Sequence, residues 1–358
     1  MLNRLIPIAL SLLVVHAALA GASRPPRPVD RPPEQTKRKE VEEPRIAGLT
    51  AVELQGVVDK TYAAFKDLQE GKNADYIPIL ATVPSDLFGI VIATKEGRLF
   101  SAGDINYKFS IQSVSKPFTA ALVMKEQGPE ALRAKIGVEP TGLNSKMALE
   151  LHAERSVNPM VNAGAIAAVS LLEAPDEEHR WAKVYQNLND FAGTNLEVLD
   201  KVFKSEYETA WSNRGIANLL YGYDRLFCAP EEALRVYTKQ CSVGVSTKDL
   251  AIMGATLANG GKNPITGKNV LPPAHVPELL ALMATAGFYD ESGEWMFSAG
   301  LPAKTGVGGG IVAIVPGKFA IAAFSPRVND AGNSIKAMKA IRRIAGELGV
   351  GLYGANPE

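Results

Sequence analysis

Two short motifs, far apart in the sequence, could together activate a serine hydroxyl for attack on a carbonyl carbon. Ser-x-x-Lys occurs once, at Ser113 and Lys116, and Lys-Thr-Gly occurs once, at Lys304–Gly306. A serine hydroxyl is a weak nucleophile until a neighbouring base takes its proton. Because residues i and i+3 share one face of a helix, we expect Lys116 to lie over Ser113. The pair favours a serine acyl-transfer enzyme whose base is a lysine rather than a histidine.

Lys116 can act as a base only if its amine is neutral. The first turn of a helix carries the positive end of the helix dipole, which disfavours a lysine charge, and Lys304 would act in the same direction. Phe109, Ile111 and Phe118 flank the motif, and they predict a partly buried helix start. The alternative is a surface serine beside a solvated lysine, which is usual for an isolated Ser-x-x-Lys.

The glycine-rich segment Val307–Gly310 follows Lys-Thr-Gly directly. Glycine lets the backbone approach a ligand closely, and N–H groups placed in this way could face a developing oxyanion. A flexible turn is the alternative. The spacing of a nucleotide-binding loop, Gly-x-x-x-x-Gly-Lys-Ser/Thr, is absent from the sequence.

Several polar residues stand in apolar or helical surroundings. A buried asparagine must be hydrogen-bonded, so Asn158 and Asn162 contact either the backbone or a polar ligand, and the sequence leaves both open. Glu206 and Asn213 are predicted on one helix, where a solvated face is the ordinary role. Tyr237 fits core packing as well as a site. The residues alone therefore predict a serine amide or ester hydrolase without naming its substrate.

The elements around these motifs predict an α/β (α+β) fold. Residues 130–285 are rich in Ala and Leu with a helical period, which predicts an all-α lobe. We expect a five-stranded antiparallel sheet flanked by the first and last helices, with the site in a cleft between sheet and lobe. The predicted elements outside the lobe are a helix over 50–70, a hairpin of Phe88–Thr94 and Arg98–Gly103, a helix over Ser115–Lys125, strands at Trp295–Ala299, Gly310–Val315 and Phe319–Phe324, and a helix over Ser334–Leu348.

The N-terminus is typical of an export signal. Arg4 precedes an apolar run, Leu5–Leu19, and Ala18-Leu19-Ala20 fits a cleavage site. A membrane anchor is the alternative, but the run is shorter than the roughly 20 residues of a spanning helix. We therefore expect a signal peptide at 1–20, a Pro-rich charged linker at 21–47, and a periplasmic or secreted protein without stable membrane association. Without processing the protein would be cytoplasmic.

Composition excludes several classes of function. The 358 residues carry 38 basic and 38 acidic side chains, a balance that does not favour nucleic acid as a partner. None of the 4 His has zinc-ligand spacing, and we expect neither a metal nor a cofactor. Export would permit a disulfide between Cys228 and Cys241, although two buried thiols are the favoured interpretation.

At these residues the chain resembles the serine-dependent glutaminases, a bacterial-type family with the β-lactamase/transpeptidase-like fold. The resemblance covers residues 48–356 and implies a sheet lobe of 48–128 and 286–356 with a helical lobe of 129–285. It also implies a homo-oligomer, a dimer or a tetramer. The segment Thr141–Ser145 is shorter than the corresponding segment of the family members. The matching blocks are Asp75–Pro78, Ser113–Lys116, Val161–Ala165, Tyr237–Cys241, Leu257–Gly261, Tyr289–Gly293 and Gly300–Gly310.

The resemblance implies hydrolysis of L-glutamine to L-glutamate and ammonia through a γ-glutamyl acyl-enzyme. Ser113 would be the nucleophile and Lys116 its base. Tyr237 would pass a proton to the leaving amine, and Lys304 would support the electrostatics. The backbone N–H groups of Ser113 and Val307 would form the oxyanion hole.

The resemblance also implies a set of residues that hold the substrate. Glu206 suits the α-ammonium by charge, and the amide side chains suit the α-carboxylate. Polar contacts of this kind discriminate against isosteres of the substrate. The implied substrate-binding residues are Tyr76, Ser113, Asn162, Glu206, Asn213, Tyr237, Tyr289 and Val307.

Two other functions compete with glutamine hydrolysis. A β-lactamase or D-Ala peptidase shares Ser-x-x-Lys and Lys-Thr-Gly, but Asn162, Glu206 and Asn213 favour a pocket for a zwitterion. A non-catalytic amino-acid-binding protein would need neither Ser113 nor Lys116.

Overall fold

The structure is a computed structural model, and it describes residues 45–140 and 157–354. The predicted signal peptide, the linker up to residue 44 and the short stretch Thr141–Ser145 lie outside the described residues. Within them, backbone hydrogen bonds between Ile46 and Leu49 close a turn ahead of the first helix. That helix begins at a capping box, in which Thr50 and Glu53 satisfy each other's backbone N–H groups.

A five-stranded antiparallel sheet forms the centre of the fold and confirms the predicted α/β (α+β) class. Its strands lie side by side in the order Leu99–Gly103, Gly89–Thr94, Phe319–Phe324, Gly310–Val315 and Ala303–Thr305, and Ile90 pairs with Ala323 at its middle. Shorter strands form two small sheets elsewhere. The strands are β1 (Lys72–Asn73), β2 (Gly89–Thr94), β3 (Leu99–Gly103), β4 (Phe109–Ser110), β5 (Glu197–Val198), β6 (Val243–Val245), β7 (Ala303–Thr305), β8 (Gly310–Val315), β9 (Phe319–Phe324) and β10 (Arg327–Val328).

Helices cover both faces of this sheet, which explains why its central strands are continuous apolar runs. Alternate residues of β2 divide between two separate cores, Ile90 and Ile92 on one face and Val91 and Ala93 on the other. The described helices are α1 (Ala51–Phe65), α2 (Lys116–Gln127), α3 (Pro129–Lys135), α4 (Asn162–Leu171), α5 (Glu177–Ala192), α6 (Asp200–Glu208), α7 (Trp211–Gly222), α8 (Pro230–Cys241), α9 (Thr247–Ala258), α10 (Val276–Ala286), α11 (Ser292–Ser298) and α12 (Ile335–Leu348).

The first and last helices, α1 and α12, pack on one face of the sheet as predicted, and α9 packs on the other. Helix α9 comes from the segment that the sequence assigns to the helical lobe. It approaches closely because Gly254 faces the strands, where a Cβ atom would lie 2.6 Å from side-chain atoms of Val312 and Ala320. The helical segment is thereby joined directly to the sheet.

The predicted strand at Trp295–Ala299 is wrong, because these residues belong to helix α11 and its C-cap. Trp295 is 1% exposed and Phe297 is 92% exposed, while Ala299 is buried, so burial recurs at i and i+4 as on a helix. The aromatic composition resembles a strand, but Trp295 is fixed by stacking on Phe288 and by donating to the Leu301 carbonyl. The fifth strand of the sheet is β7 instead.

The prediction that a single helix carries Glu206 and Asn213 is also wrong. Two helices, α6 and α7, carry these residues and are separated by Thr209 and Ala210. The Thr209 hydroxyl donates to the Ser205 carbonyl at 2.9 Å, a local bond of the kind that competes with helix continuation. The break turns both side chains toward the same cleft.

Two further features follow from the described part of the chain. Cys228 and Cys241 are free thiols, of which Cys241 is buried as expected and Cys228 is only partly buried, and burial raises the pKa of Cys241 to about 12. None of the helices in residues 45–140 and 157–354 has the length and hydrophobicity needed to span a membrane.

Candidate active site

A cleft of about 300 Å³ lies where the 3-10 turn that carries Gln112 and Ser113, the glycine-rich segment and helices α4, α6 and α7 meet. Lys116 and Lys304 are buried next to it. The other predicted site residues all line the cleft, namely Tyr76, Ser113, Asn162, Glu206, Asn213, Tyr237, Tyr289 and Val307. The structure therefore brings together residues that are more than two hundred positions apart.

Ser113 and Lys116 lie at the start of helix α2. Ser113 belongs to a short 3-10 turn that runs directly into the helix, and Pro117 occupies the first helical turn, where its missing N–H is not needed. The Lys116 Nζ donates to the Ser113 Oγ at 2.6 Å and to the Asn162 Oδ1 at 2.8 Å. This is the contact between Ser113 and Lys116 that the i, i+3 spacing predicts.

The Lys116 ammonium is destabilised in this position. Burial lowers its pKa to about 8, and the carboxylate of Glu206 only partly opposes this effect. The two groups that hydrogen-bond to it, the Ser113 hydroxyl and the Asn162 amide, carry no charge. The sequence argument invoked the helix dipole, but desolvation is the dominant cause. At neutral pH a usable fraction of Lys116 is therefore the free amine.

Lys304 lies behind Tyr289 rather than beside Ser113. Its Nζ donates to the carbonyls of Gly287 and Thr305 at 2.9 and 2.8 Å, and it is 4.0 Å from the centroid of the Tyr289 ring. Burial holds the pKa of Lys304 well below its usual range, and the charge of Lys116 lowers it further. Lys304 thus acts on the site mainly through Tyr289.

The glycine-rich segment passes directly against the backbone around Ser113. A Cβ atom on Gly306 would lie 3.2 Å from the Ser113 nitrogen, and one on Gly308 would lie 2.4 Å from the Ser110 carbonyl oxygen. At Gly308 only glycine permits this approach, and at Gly306 a Cβ atom would be crowded. Within the described ranges, the N–H groups of Ser113 and Val307 donate to no other residue, although buried N–H groups are normally paired. Both remain available to a ligand.

Glu206 is a buried carboxyl group on the opposite wall of the cleft. Burial raises its pKa to about 7, opposed by the hydrogen bond from Gln112 and by the charge of Lys116. The Gln112 Nε2 donates to the Glu206 Oε2 at 2.9 Å. A cationic ligand group that paired with Glu206 would stabilise its ionised form.

Two amide side chains, those of Asn162 and Asn213, are hydrogen-bonded in series beside Lys116. The Asn162 Oδ1 accepts from Lys116, while its Nδ2 donates to the Asn213 Oδ1 at 3.0 Å. The Nδ2 of Asn213 donates to no other described residue, so it can donate to a ligand. Asn158, which the sequence left open, is structural: it donates to the Glu139 carbonyl and accepts from the Met160 N–H.

Three tyrosines complete the cleft. Tyr237 on α8 and Tyr289 flank Lys116, whose Nζ is 5.8 and 5.7 Å from their ring centroids. Burial raises the pKa of Tyr237 well above its ordinary value and raises that of Tyr289 also, although a hydrogen bond with Ser113 opposes the second shift. Tyr76 is 63% exposed at the mouth.

Sequence reasoning missed Gln112, Asp290 and Asp330, which also line the cleft. Gln112 has φ of +50°, a strained conformation for a residue other than glycine, immediately before Ser113. An amide between Ile111 and Ser113 was a detectable signal, whereas nothing in the pattern around Asp330 indicated a site. Among the described residues no group of His, Cys, Asp and Glu side chains could hold a metal ion.

Residues 71–353 match the family model described as Glutaminase. A glutaminase of Mycobacterium ulcerans is 51% identical over 295 residues, which are 82% of this chain and 92% of the relative. The solved structure of the probable glutaminase ybaS has a TM-score of 0.84 at 46% identity and covers 85% of this chain and 99% of its own. A probable glutaminase from Bacillus subtilis, complexed with 6-diazo-5-oxo-L-norleucine, has a TM-score of 0.75 at 30% identity, with 85% and 97% covered.

Proposed function

The chain belongs to the glutaminase family and hydrolyses L-glutamine to L-glutamate and ammonia, and we propose that it does so through an acyl-enzyme on Ser113. The observation that carries this proposal is the 2.6 Å contact between the Ser113 Oγ and the Nζ of Lys116. A lysine with a pKa of about 8 can take a proton from serine near neutral pH, which few lysines can do.

In the acylation step the Ser113 hydroxyl gives its proton to the neutral Lys116 amine, and its Oγ attacks the side-chain amide carbon of glutamine. The amide oxygen becomes an oxyanion. The unpaired N–H groups of Ser113 and Val307 would donate to it, an interaction that strengthens as the charge develops. Collapse of this intermediate breaks the C–N bond and releases ammonia.

The leaving nitrogen needs a proton as the bond breaks. Tyr237 is buried beside Lys116 and is protonated, since its pKa is raised. It would donate to the leaving amine and recover its proton from Lys116. In deacylation a water molecule gives a proton to the free Lys116 amine and attacks the ester carbon, and Ser113 leaves with the proton returned to it.

Recognition of the amino-acid end would involve the far wall of the cleft. Glu206 would pair with the α-ammonium, and Gln112 already orients its carboxylate. The Nδ2 of Asn213 would donate to the α-carboxylate while Asn162 connects that contact to Lys116. Tyr76 at the mouth would cover the bound substrate. Lys304 would keep the Tyr289 ring in place over the reacting groups.

The experiment is a substrate panel measured as ammonia release. We expect release from L-glutamine, with L-asparagine and D-glutamine at least about 100-fold slower, because unpaired polar groups in the site penalise a misplaced zwitterion. Ser113→Ala should abolish release while retaining the fold. Equal release from all three amides would contradict the proposed recognition by Glu206 and Asn213.

We further propose that residues 1–20 direct export and are removed, that 21–47 form a linker, and that the lobes 48–128 with 286–356 and 129–285 enclose the site. N-terminal sequencing of the protein from its native host would test the first point, since an unprocessed chain contradicts export. The resemblance to the family also leads us to expect a homodimer or a tetramer. A monomer observed by sedimentation would contradict this expectation.

A further inference from the structure

A carboxylate away from the reacting atoms, Glu291, fastens a loop at the mouth of the cleft. Its two oxygens accept from the Asn329 Nδ2 at 2.9 and 3.0 Å, and its Oε2 also accepts from the Asn333 Nδ2 at 2.5 Å. Asn333 is fully buried. The loop between the two asparagines is closed by backbone bonds as well, because Asn329 N donates to the Asn333 carbonyl at 2.9 Å.

This loop contacts the site in two ways. Asp330 and Ala331 line the cleft. Gly332 has φ of +88°, and a Cβ atom on it would lie 3.0 Å from the Cγ1 of Val307. The loop therefore lies against the residue whose N–H is proposed for the oxyanion hole, so that a displaced loop would displace Val307.

Glu291 also ends the short turn that carries Tyr289. Tyr289 has φ of +53°, a conformation that costs a residue other than glycine free energy and persists only where its surroundings fix it. The Ser292 hydroxyl donates to the Tyr289 carbonyl at 2.8 Å, which fixes one side of the turn. The hydrogen bonds that Glu291 accepts from Asn329 and Asn333 fix the other side of the turn.

We propose that Glu291 is a positioning residue for glutamine hydrolysis, and that with Asn329 and Asn333 it forms a clamp, here the Glu291 clamp, between the Tyr289 turn and the loop against Val307. The proposal rests on the proposed function, because it acts through Tyr289 and Val307. Since the Val307 N–H would bind the oxyanion more strongly than the ground-state amide, loosening the clamp lowers kcat rather than raising KM.

The test exchanges the hydrogen-bond donor and the acceptor between Asn329 and Glu291. Asn329→Asp removes the donor and sets two carboxylates against each other, and we expect kcat to fall about 10-fold with KM within about 3-fold. Adding Glu291→Gln restores a complementary pair, because the new amide donates to the new carboxylate and its oxygen still accepts from Asn333. We expect the double variant to recover to within about 3-fold of the wild-type kcat.

Glu294→Gln, combined with Asn329→Asp, is the matched control. Glu294 lies three positions further on, is 61% exposed and contacts Arg342 at 3.5 Å, so its neutralisation changes net charge equally without reaching the clamp. Recovery with Glu294→Gln, no recovery with Glu291→Gln, or a wild-type kcat in Asn329→Asp would each overturn the proposal. If Asn329→Asp does not fold, Glu291→Ala replaces it, and a wild-type kcat there also overturns it.

The two proposals fail separately in this design. Ammonia release by the wild-type protein tests the proposed function on its own, and the ratios of kcat among the variants test the clamp. A lower melting temperature with unchanged kcat would assign the cluster a purely structural role and would count against positioning.

Discussion

The rate of glutamine hydrolysis should rise steeply with pH, because two buried groups must both lose a proton. Glu206 must be ionised to pair with the α-ammonium, and its pKa is about 7. Lys116 must be neutral to accept the serine proton, and its pKa is about 8. Burial is the main cause of both shifts, and each group is inactive below its pKa, so both contributions increase as pH rises.

The expected size follows from these two values. If the groups titrate independently, the active form increases from roughly 0.7% of the enzyme at about pH 6.5 to roughly 74% at about pH 8.5, so kcat/KM should rise about 100-fold. Bound glutamine keeps Glu206 ionised, so kcat should follow Lys116 alone and rise about 25-fold. The free-enzyme profile is therefore the steeper of the two.

The assay is steady-state ammonia release across this pH range at constant ionic strength, with kcat and kcat/KM fitted separately. Glu206→Gln provides a control, because its kcat/KM profile should lose the extra steepness and become parallel to the kcat profile. A rise of less than about 5-fold in kcat/KM, or a decrease with pH, would refute a neutral lysine as the base.

Three further predictions concern packing and the supporting groups. Tyr237→Phe should lower kcat about 100-fold with little change in KM, since it removes a proton donor to the leaving group; an unchanged kcat would exclude that role. Lys304→Met should lower kcat at least about 10-fold while the fold persists, because Tyr289 loses the lysine amine that lies behind its ring; circular dichroism and kcat together decide this. Gly254→Ala should destabilise the protein by about 1–3 kcal/mol in urea unfolding. The control is Gly215→Ala on α7, where the added methyl group would face open space and should be neutral or stabilising by up to about 1 kcal/mol. Equal effects of the two substitutions on the free energy of unfolding would contradict the close approach of α9 to the sheet.

Elements with strong local patterns were predictable from the sequence. The hairpin and the two strands joined by Pro316 and Gly317 have β-rich apolar runs with turn residues between them, and α1 and α12 have a clear helical period. The pairing of Ser113 with Lys116 was predictable for the same reason, because it depends only on the geometry of one helical turn.

Features decided by tertiary contacts were not predictable. Trp295 and its neighbours have the composition of a strand, but Trp295 stacks on Phe288 and donates to the Leu301 carbonyl from a helix. Helix α9 looks like any other apolar helix, and its place on the sheet depends on Gly254 meeting Val312 and Ala320 of distant strands. Composition alone contains neither fact.

The candidate site also combines features that were predictable from the sequence with features that were not. The polar residues around Ser113 could be named from motifs and resemblance. The cause of the lowered pKa of Lys116 could not, since the helix dipole was invoked and burial dominates. Gln112 orients Glu206 from a strained backbone position. The Glu291 clamp joins residues from two separate loops, and its members became recognisable only when their distances were known.

Partitioning of the acyl group between water and hydroxylamine tests the central claim most directly. If Ser113 carries a γ-glutamyl ester, every γ-glutamyl amide passes through the same intermediate, so the ratio of glutamyl hydroxamate to glutamate is fixed by the hydroxylamine concentration alone. The account predicts one ratio for L-glutamine and for γ-glutamyl methylamide, with both products lost in Ser113→Ala. Ratios that differ between the two substrates, or turnover that persists in Ser113→Ala, would contradict an acyl-enzyme on Ser113.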